Sequence, residues 1–353
     1  MDKKIGFIDV AKGIGIILVV LGHMRSTTDI TVVKTIILTF HMPLFFFIAG
    51  YTFNLEKYID KPIEFFKNKF KRMIVPYILF SFFLIIFLSS TKNELTIYDK
   101  MFSVLYGVGT KFWTWDMIPL WFLLALFCAN VFFYILLKYT RVSTEIQILA
   151  LALSSLVGYE LSRRFSKGYC CPWSFELALI ALVFMYAGWK CKTHALIERM
   201  QKHKPIIKII VFLMLAIIWI FVIVTNGRVD MNARRFSNLL EFYVGGISGS
   251  LIVIWISIML SKVNVLNKCF GLLGRNSLYI LIFHSFSGRF YFNVLSKIFP
   301  AFRKFLLENV DAGNSLAVVW GILASLVIAA FLKLVIRTVN KIMAVSKKNF
   351  LSE

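Results

Sequence analysis

Asp9, Lys12, His23, His41 and His284 stand inside apolar runs of the chain, where an ionisable group needs a reason to be. Lys12 and His23 are eleven residues apart. At about 3.6 residues per turn this is close to three turns, so one helix face carries both, roughly 16 Å apart. Asp9 precedes Lys12 by three residues and can pair with it. An imidazole, with an ordinary pKa near 6.5, can serve as a general base or as a nucleophile. The competing reading is structural: Asp9 and Lys12 neutralise each other, and His23 caps a helix at an interface. Spacing alone leaves both open.

Two further histidines extend the pattern. His41 lies in Phe40-His41-Met42-Pro43-Leu44-Phe45-Phe46-Phe47. A neutral imidazole can be buried when its nitrogens find partners. Pro43 removes a backbone donor and so frees a carbonyl nearby. Gly50 lets a neighbouring helix come close. His284 ends the stretch Leu273-Gly274-Arg275-Asn276-Ser277-Leu278-Tyr279-Ile280-Leu281-Ile282-Phe283-His284, which opens on a Gly, Asn and Ser start signal and runs into a helix. Three histidines in the outer halves of three spans point to one polar cavity. Three separately satisfied histidines are the alternative.

The elements that must position these groups follow from composition. Hydrophobic residues make up 59% of the 353 residues and charged residues 16%. Soluble domains run at roughly 45–50% and 25%, so a water-soluble fold is excluded. A helix needs about 20 apolar residues to cross a bilayer. Such runs fall near 5–24, 32–53, 73–90, 118–138, 145–162, 172–190, 206–225, 238–260, 270–290 and 315–337. They are too long and continuous for barrel strands. The expected fold is therefore all-α: one polytopic membrane domain over 1–353 with about ten transmembrane helices. A charge at mid-membrane costs about 2.5–3.5 kcal/mol on insertion scales, which is why the intramembrane residues matter. The first run follows Lys3 and Lys4 but holds Asp9 and Lys12 and lacks a small-residue cleavage site, so it reads as a retained anchor.

Lys and Arg outnumber Asp and Glu by 40 to 18, and their positions set the topology. Ten spans place both termini on one side. The loops 54–72 and 191–205 and the tail 338–353 are rich in Lys and Arg, so both termini are expected in the cytoplasm. Arg163, Arg164 and Lys167, then Arg228, Arg234 and Arg235, then Arg303 and Lys304, fall on outer loops. Lys69, Lys71 and Arg72 precede the third span. Lys69 and Arg72 share a helix face, which suits topology and equally suits a phosphate. The five cysteines show no CxxC spacing, and the adjacent Cys170 and Cys171 are not expected to bridge each other. No metal site is expected.

Taken together, these stretches resemble the acyltransferase-3 membrane family. Ile8-Asp9-Val10-Ala11-Lys12-Gly13 through Leu21-Gly22-His23 looks like its first-helix motif, and Phe40 to Tyr51 like its second. Lys69-Phe70-Lys71-Arg72 with Pro76-Tyr77 resembles its basic-x-x-Arg motif. Leu120-Trp121-Phe122-Leu123 and the Gly274-to-His284 stretch also fit. The branch most resembled is the fucose 4-O-acetylase-like group of surface-polysaccharide O-acetyltransferases. Lys12 and Lys69 depart from the Arg that many relatives carry; Lys keeps the charge and loses the bidentate fork.

The resemblance implies a ten-helix core in the inner or plasma membrane. It implies acyl transfer from cytosolic acyl-CoA, usually acetyl-CoA, to a hydroxyl of an extracytoplasmic glycan. On that basis His23 is the expected general base. Lys12, oriented by Asp9, and His41 and His284 are further expected site residues. Lys69, Lys71 and Arg72 are expected at the acyl-CoA. Arg163, Arg164, Arg234, Arg235 and Trp121 are expected at the glycan or lipid-linked glycan acceptor. Membrane lipid is the expected surrounding partner, and nucleic acid is not expected. A small-solute transporter and a non-catalytic partner in an envelope pathway are the rivals. Against the first, no half-to-half symmetry of hydropathy is visible.

Overall fold

In lipid every backbone polar group must be satisfied within its own segment, and the chain obeys this with helices throughout. The computed structural model describes residues 6–23, 28–88, 96–107, 118–141, 143–165, 171–299, 301, 304 and 309–350. Lys3, Lys4, Lys167, Cys170 and Arg303 lie outside the described residues. The helices are α1 (Gly6–Gly22), α2 (Thr28–Tyr51), α3 (Pro62–Leu88), α4 (Ile97–Tyr106), α5 (Trp121–Tyr139), α6 (Thr144–Phe165), α7 (Phe175–Thr193), α8 (Leu196–Lys202), α9 (Pro205–Asn226), α10 (Leu239–Ser261), α11 (Asn264–Arg275), α12 (Ser277–Ile298) and α13 (Val310–Phe350). Among the described residues the only β pairing is an isolated bridge between Asp230 and Arg235.

Among the described residues six helical segments are long and apolar enough to cross a membrane: Val32–Tyr51, Ile118–Tyr139, Pro172–Thr193, Pro205–Asn226, Leu239–Ser261 and Ser315–Thr338. The other four expected spans fall on α1, α3, α6 and α12. These are helical but shorter or mixed with charge; α1 has 17 residues. Two boundaries differ from expectation. α3 begins at Pro62, not near 73, because Pro62 is preset for the first helical position and Phe65 buries one turn in. The span expected at 270–290 is two helices, broken at Asn276. There the Asn276 N–H turns back to the carbonyls of Leu272 and Leu273. Two short helices were not anticipated, α4 and α8. The start of α4 is a capping box: the Asp99 N–H donates to Thr96 Oγ1 at 3.2 Å, and the Thr96 N–H to Asp99 Oδ2 at 3.0 Å.

α1 occupies the middle of the bundle, packed by α2, α10, α11 and α12. Its closest neighbour is α11. A Cβ on Gly13 would overlap the Phe270 carbonyl, and one on Gly274 would overlap the Asp9 carbonyl. A second backbone-to-backbone crossing joins α2 to α7. There a Cβ on Gly50 would overlap the Met185 carbonyl, and one on Gly188 the Phe47 carbonyl. Small residues let helices meet in this way where lipid supplies no hydrophobic drive. α9 lies at the edge. Its apolar stretch is only 6% buried at a mean hydropathy of 3.1, so it faces lipid.

Gly188→Ala should therefore lower stability by about 1–3 kcal/mol, since the α2–α7 crossing cannot open without moving backbone. Gly288→Ala, where a Cβ meets nothing within 4 Å, should be silent. Thermal unfolding of both variants in detergent checks the contrast, and equal midpoints would contradict it.

Candidate functional site

α1 delivers His23 at its C-terminal end. The chain turns there, with the His23 N–H on the Val20 carbonyl at 3.1 Å, and the side chain is exposed in the gap between helices. α12 delivers His284 beside it. The two imidazole rings have centroids 5.2 Å apart and are tilted by 41°. His41, from α2, lies within electrostatic reach of His23. The structure thus gathers the three histidines into one cluster.

Two of them are held in a defined way. His284 Nδ1 lies 2.9 Å from the Ile280 carbonyl and 3.0 Å from that of Leu281, and His41 Nδ1 lies 2.9 Å from the Ile37 carbonyl. A carbonyl only accepts, so each Nδ1 must carry the proton and donate it. In a neutral ring each Nε2 is then a lone-pair base. Side chains on a helix lean toward its N-terminus, which brings a ring nitrogen onto the carbonyl one turn back. The carbonyl freed by Pro43 is that of Thr39, so His41 does not use it as expected; its ring reaches Ile37 instead. Ser285 Oγ sits 3.3 Å from His284 Nε2 and can donate to it. Phe283, next to His284, meets the Phe80 ring edge-on at 4.7 Å, so α3 helps wall this end with aromatic rings.

The arginines expected at the acceptor sit differently from expectation. Arg234 was expected to meet substrate, but its side chain is buried to 1% exposure. Its guanidinium holds Glu176 Oε1 at 2.7 and 2.9 Å, Ser174 Oγ at 2.8 Å and the Asn232 carbonyl. These contacts pin the 227–238 turn to the start of α7, and Arg234 takes a left-handed φ of 55° to make them. Arg163 and Arg164 are exposed and pair with Glu160 one turn back on α6, at 3.6 and 3.5 Å. Trp121 is 5% exposed, in the main core beside Phe122. Arg235 is exposed, and its backbone bridges to Asp230.

Other charges approach the histidines in their place. Lys34 is within electrostatic reach of His23 and of Arg228, and Asp230 is within reach of His41. Asp230 is fixed by the turn that Arg234 anchors, and its Oδ1 accepts from the Ala233 N–H at 3.0 Å. Nothing in the sequence signalled Lys34 or Asp230 beyond charge at a helix end and in a loop.

The opposite end of the bundle is basic. Asp9 lies 3.7 Å from Arg275 Nη1, so its ion pair reaches from α1 to the end of α11. Lys12 stands one turn further along α1, half-buried. Lys333 of α13 donates to Asn276 Oδ1 and lies 5.3 Å from the Tyr279 ring centre. Lys69 sits over the rings of Phe65 and Phe53, at 5.5 and 5.8 Å, while Lys71 and Arg72 are exposed. Burial, then the neighbouring Arg72, holds the Lys69 ammonium down to about 8. Phe53 and Lys34 are nineteen residues apart along α2 and its end, about 28 Å, so the basic end and the histidine end lie a membrane thickness apart. Among the described residues no group of three His, Cys, Asp or Glu is placed to hold a metal.

A helical membrane bundle with a histidine cluster at one end and a basic surface at the other defines the class of the protein. The family follows: the acyltransferase-3 model, an acyltransferase domain, matches residues 5–334, so the chain belongs to that family and is an acyltransferase. Searches of curated proteins and of solved structures returned no match.

Arg234→Met should cost about 3–5 kcal/mol, because it strands a buried Glu176. The double change Arg234→Met, Glu176→Met should recover most of that loss. Urea or thermal unfolding reads the pair. If the double variant is stable yet loses acceptor affinity steeply, Arg234 touches substrate after all.

Proposed function

We propose that the chain transfers an acetyl or other acyl group from cytosolic acyl-CoA to a hydroxyl of an extracytoplasmic polysaccharide, as a fucose 4-O-acetylase-like enzyme of the inner or plasma membrane. In this reading the bundle crosses ten times, with both termini in the cytoplasm. The observation that carries it is the His23–His284 pair, 5.2 Å apart, at the end of the helix that begins at Asp9 and Lys12. Family membership supplies the reaction class.

His23 takes the acceptor hydroxyl proton as the oxygen attacks the thioester carbonyl. The tetrahedral intermediate collapses with loss of the CoA thiolate, which takes the proton back from the imidazolium. The products are an ester and CoA-SH, and no further reactant is needed. His284, its Nδ1–H held by two backbone carbonyls, keeps a basic Nε2 beside His23 and orients it or the acceptor. Lys69, Lys71 and Arg72 meet CoA phosphates at the basic end, where Arg supplies a planar fork and Lys a point charge. Lys12 steadies the donor within the bundle. Lys34, Arg228 and Arg235 meet an anionic glycan or a lipid-linked diphosphate.

Purified protein in liposomes, given labelled acetyl-CoA and surface polysaccharide, should release CoA and label the glycan. His23→Ala should lower kcat about 10²–10⁴-fold while the protein inserts normally. Solute flux without CoA release or glycan label would favour the transporter and sink the enzyme reading.

The donor end makes a separate pH prediction. Lys69 is charged below about pH 8 and neutral above it. KM for acyl-CoA should therefore rise as pH passes 8 in the unmodified protein. In Lys69→Arg it should stay flat, since a guanidinium remains protonated. Identical profiles for the two would remove Lys69 from donor binding.

A further inference from the structure

Away from the histidine cluster, a groove of about 890 Å³ opens between α8, α9 and α10. None of the residues assigned above to donor or acceptor lines it. One end is basic, with Arg199, Lys208 and Lys262, and no acidic side chain lines the groove. Nearby Glu198 turns away, accepting from the Tyr51 hydroxyl at 3.2 Å and lying 3.9 Å from Lys192. Gln201 and His203 also line it; the other walls are mostly apolar, Leu215, Leu251 and Trp255 among them, and the Phe212 and Trp255 rings are 6.3 Å apart across the α9–α10 seam.

Dimensions and charge indicate the occupant. Lys262, the residue that caps α10, and Leu251 are eleven residues apart, about 16 Å along the helix axis. Half of a hydrocarbon core of about 30 Å is one leaflet. The groove therefore runs from a cationic end at the membrane surface to the depth where one leaflet stops. Its outer wall, α9, faces lipid along nearly its whole length. Three cations with no acid among them fit a phosphate carrying net negative charge, and fit a zwitterion less well.

We propose that this groove is a binding site for an anionic glycerophospholipid. Its phosphate meets Arg199, Lys208 and Lys262, and one acyl chain lies along α10 past Trp255 to Leu251. The floor residues Ile254 and Cys191 belong to the same packed cluster as Ala11, Leu44 and Phe47. A lipid seated there braces the layer that holds α1 and α2, and with them His23 and His41.

The test is native mass spectrometry of the full chain released from nanodiscs of phosphatidylcholine doped with phosphatidylglycerol. The unmodified protein should retain phosphatidylglycerol in preference to phosphatidylcholine. Lys208→Ala with Lys262→Ala should weaken that retention about tenfold or more. Leu251→Trp, which keeps the charges and fills the apolar end, should also lose the lipid. Glycerol phosphate and inorganic phosphate at millimolar levels should not displace it. Equal retention of the two lipids would overturn the proposal, as would undiminished phosphatidylglycerol on both variants. Displacement by free phosphate or by CoA would overturn it as well, the latter marking a donor site. Retained lipid mass is read without any acyl transfer, so failure here leaves the catalytic reading standing, and the reverse.

Discussion

Everything at the histidine cluster depends on helices meeting backbone to backbone. Lipid tails are as apolar as leucine, so burial cannot drive one apolar helix onto another in a membrane. What remains is close packing, and close packing needs missing side chains. At Gly13 and Gly274 the α1 and α11 backbones come within reach of each other's carbonyls. At Gly50 and Gly188 those of α2 and α7 do the same. The first crossing fixes α1, hence His23. The second fixes α2, hence His41. His284 is tied to the first crossing through Asn276, where α11 turns into α12. A site assembled from three helices therefore inherits its precision from glycines that carry no chemistry.

The two ends of the bundle divide two electrostatic tasks. At the histidine end the Nδ1 protons of His41 and His284 are spent on carbonyls, so in the neutral ring basicity is directed to Nε2. The opposite end keeps lysine ammonium groups against aromatic faces, as Lys69 does over Phe65. A positive charge over a ring is stabilised without a counter-ion, which leaves it open to an incoming anion. Asp9 with Arg275, and Lys333 with Asn276, belong to that basic end, and each contact is tied to the junction where α11 meets α1 or turns into α12.

How much of this was legible in the sequence depended on whether the partner was local. His23 stood out because an imidazole near eleven residues from a lysine in an apolar run is costly wherever it points. The capping box at Thr96 is equally local, since Thr96 and Asp99 stand three residues apart. Arg234 could not be read, because its partner Glu176 lies 58 residues away and only the fold brings the two together. An arginine in a loop looks the same whether it waits for a ligand or closes a buried pair. The break at Asn276 was half legible: Gly274-Arg275-Asn276-Ser277 reads as a helix start, but an apolar span of about 20 residues counted across it. The turn sits where α11, packed against α1, gives way to α12.

Arg234 and Asp230 show how a buried ion pair can serve a site it does not touch. Two ions removed from water seldom stabilise a fold over a well-packed apolar pair, so Arg234 and Glu176 are poorly explained by stability alone. The pair does set the conformation of a turn. It draws Arg234 into a left-handed φ, closes the Asp230–Arg235 bridge and presents Asp230 toward His41. A hydrophobic pair could bury the same volume but would not demand that backbone geometry. The directional demands of a guanidinium, with donors to Glu176, Ser174 and Asn232 at once, leave the turn a single arrangement. Specificity of placement is thus a physical reason for charge at that position, and it accounts for an arginine on a connecting turn whose guanidinium is buried.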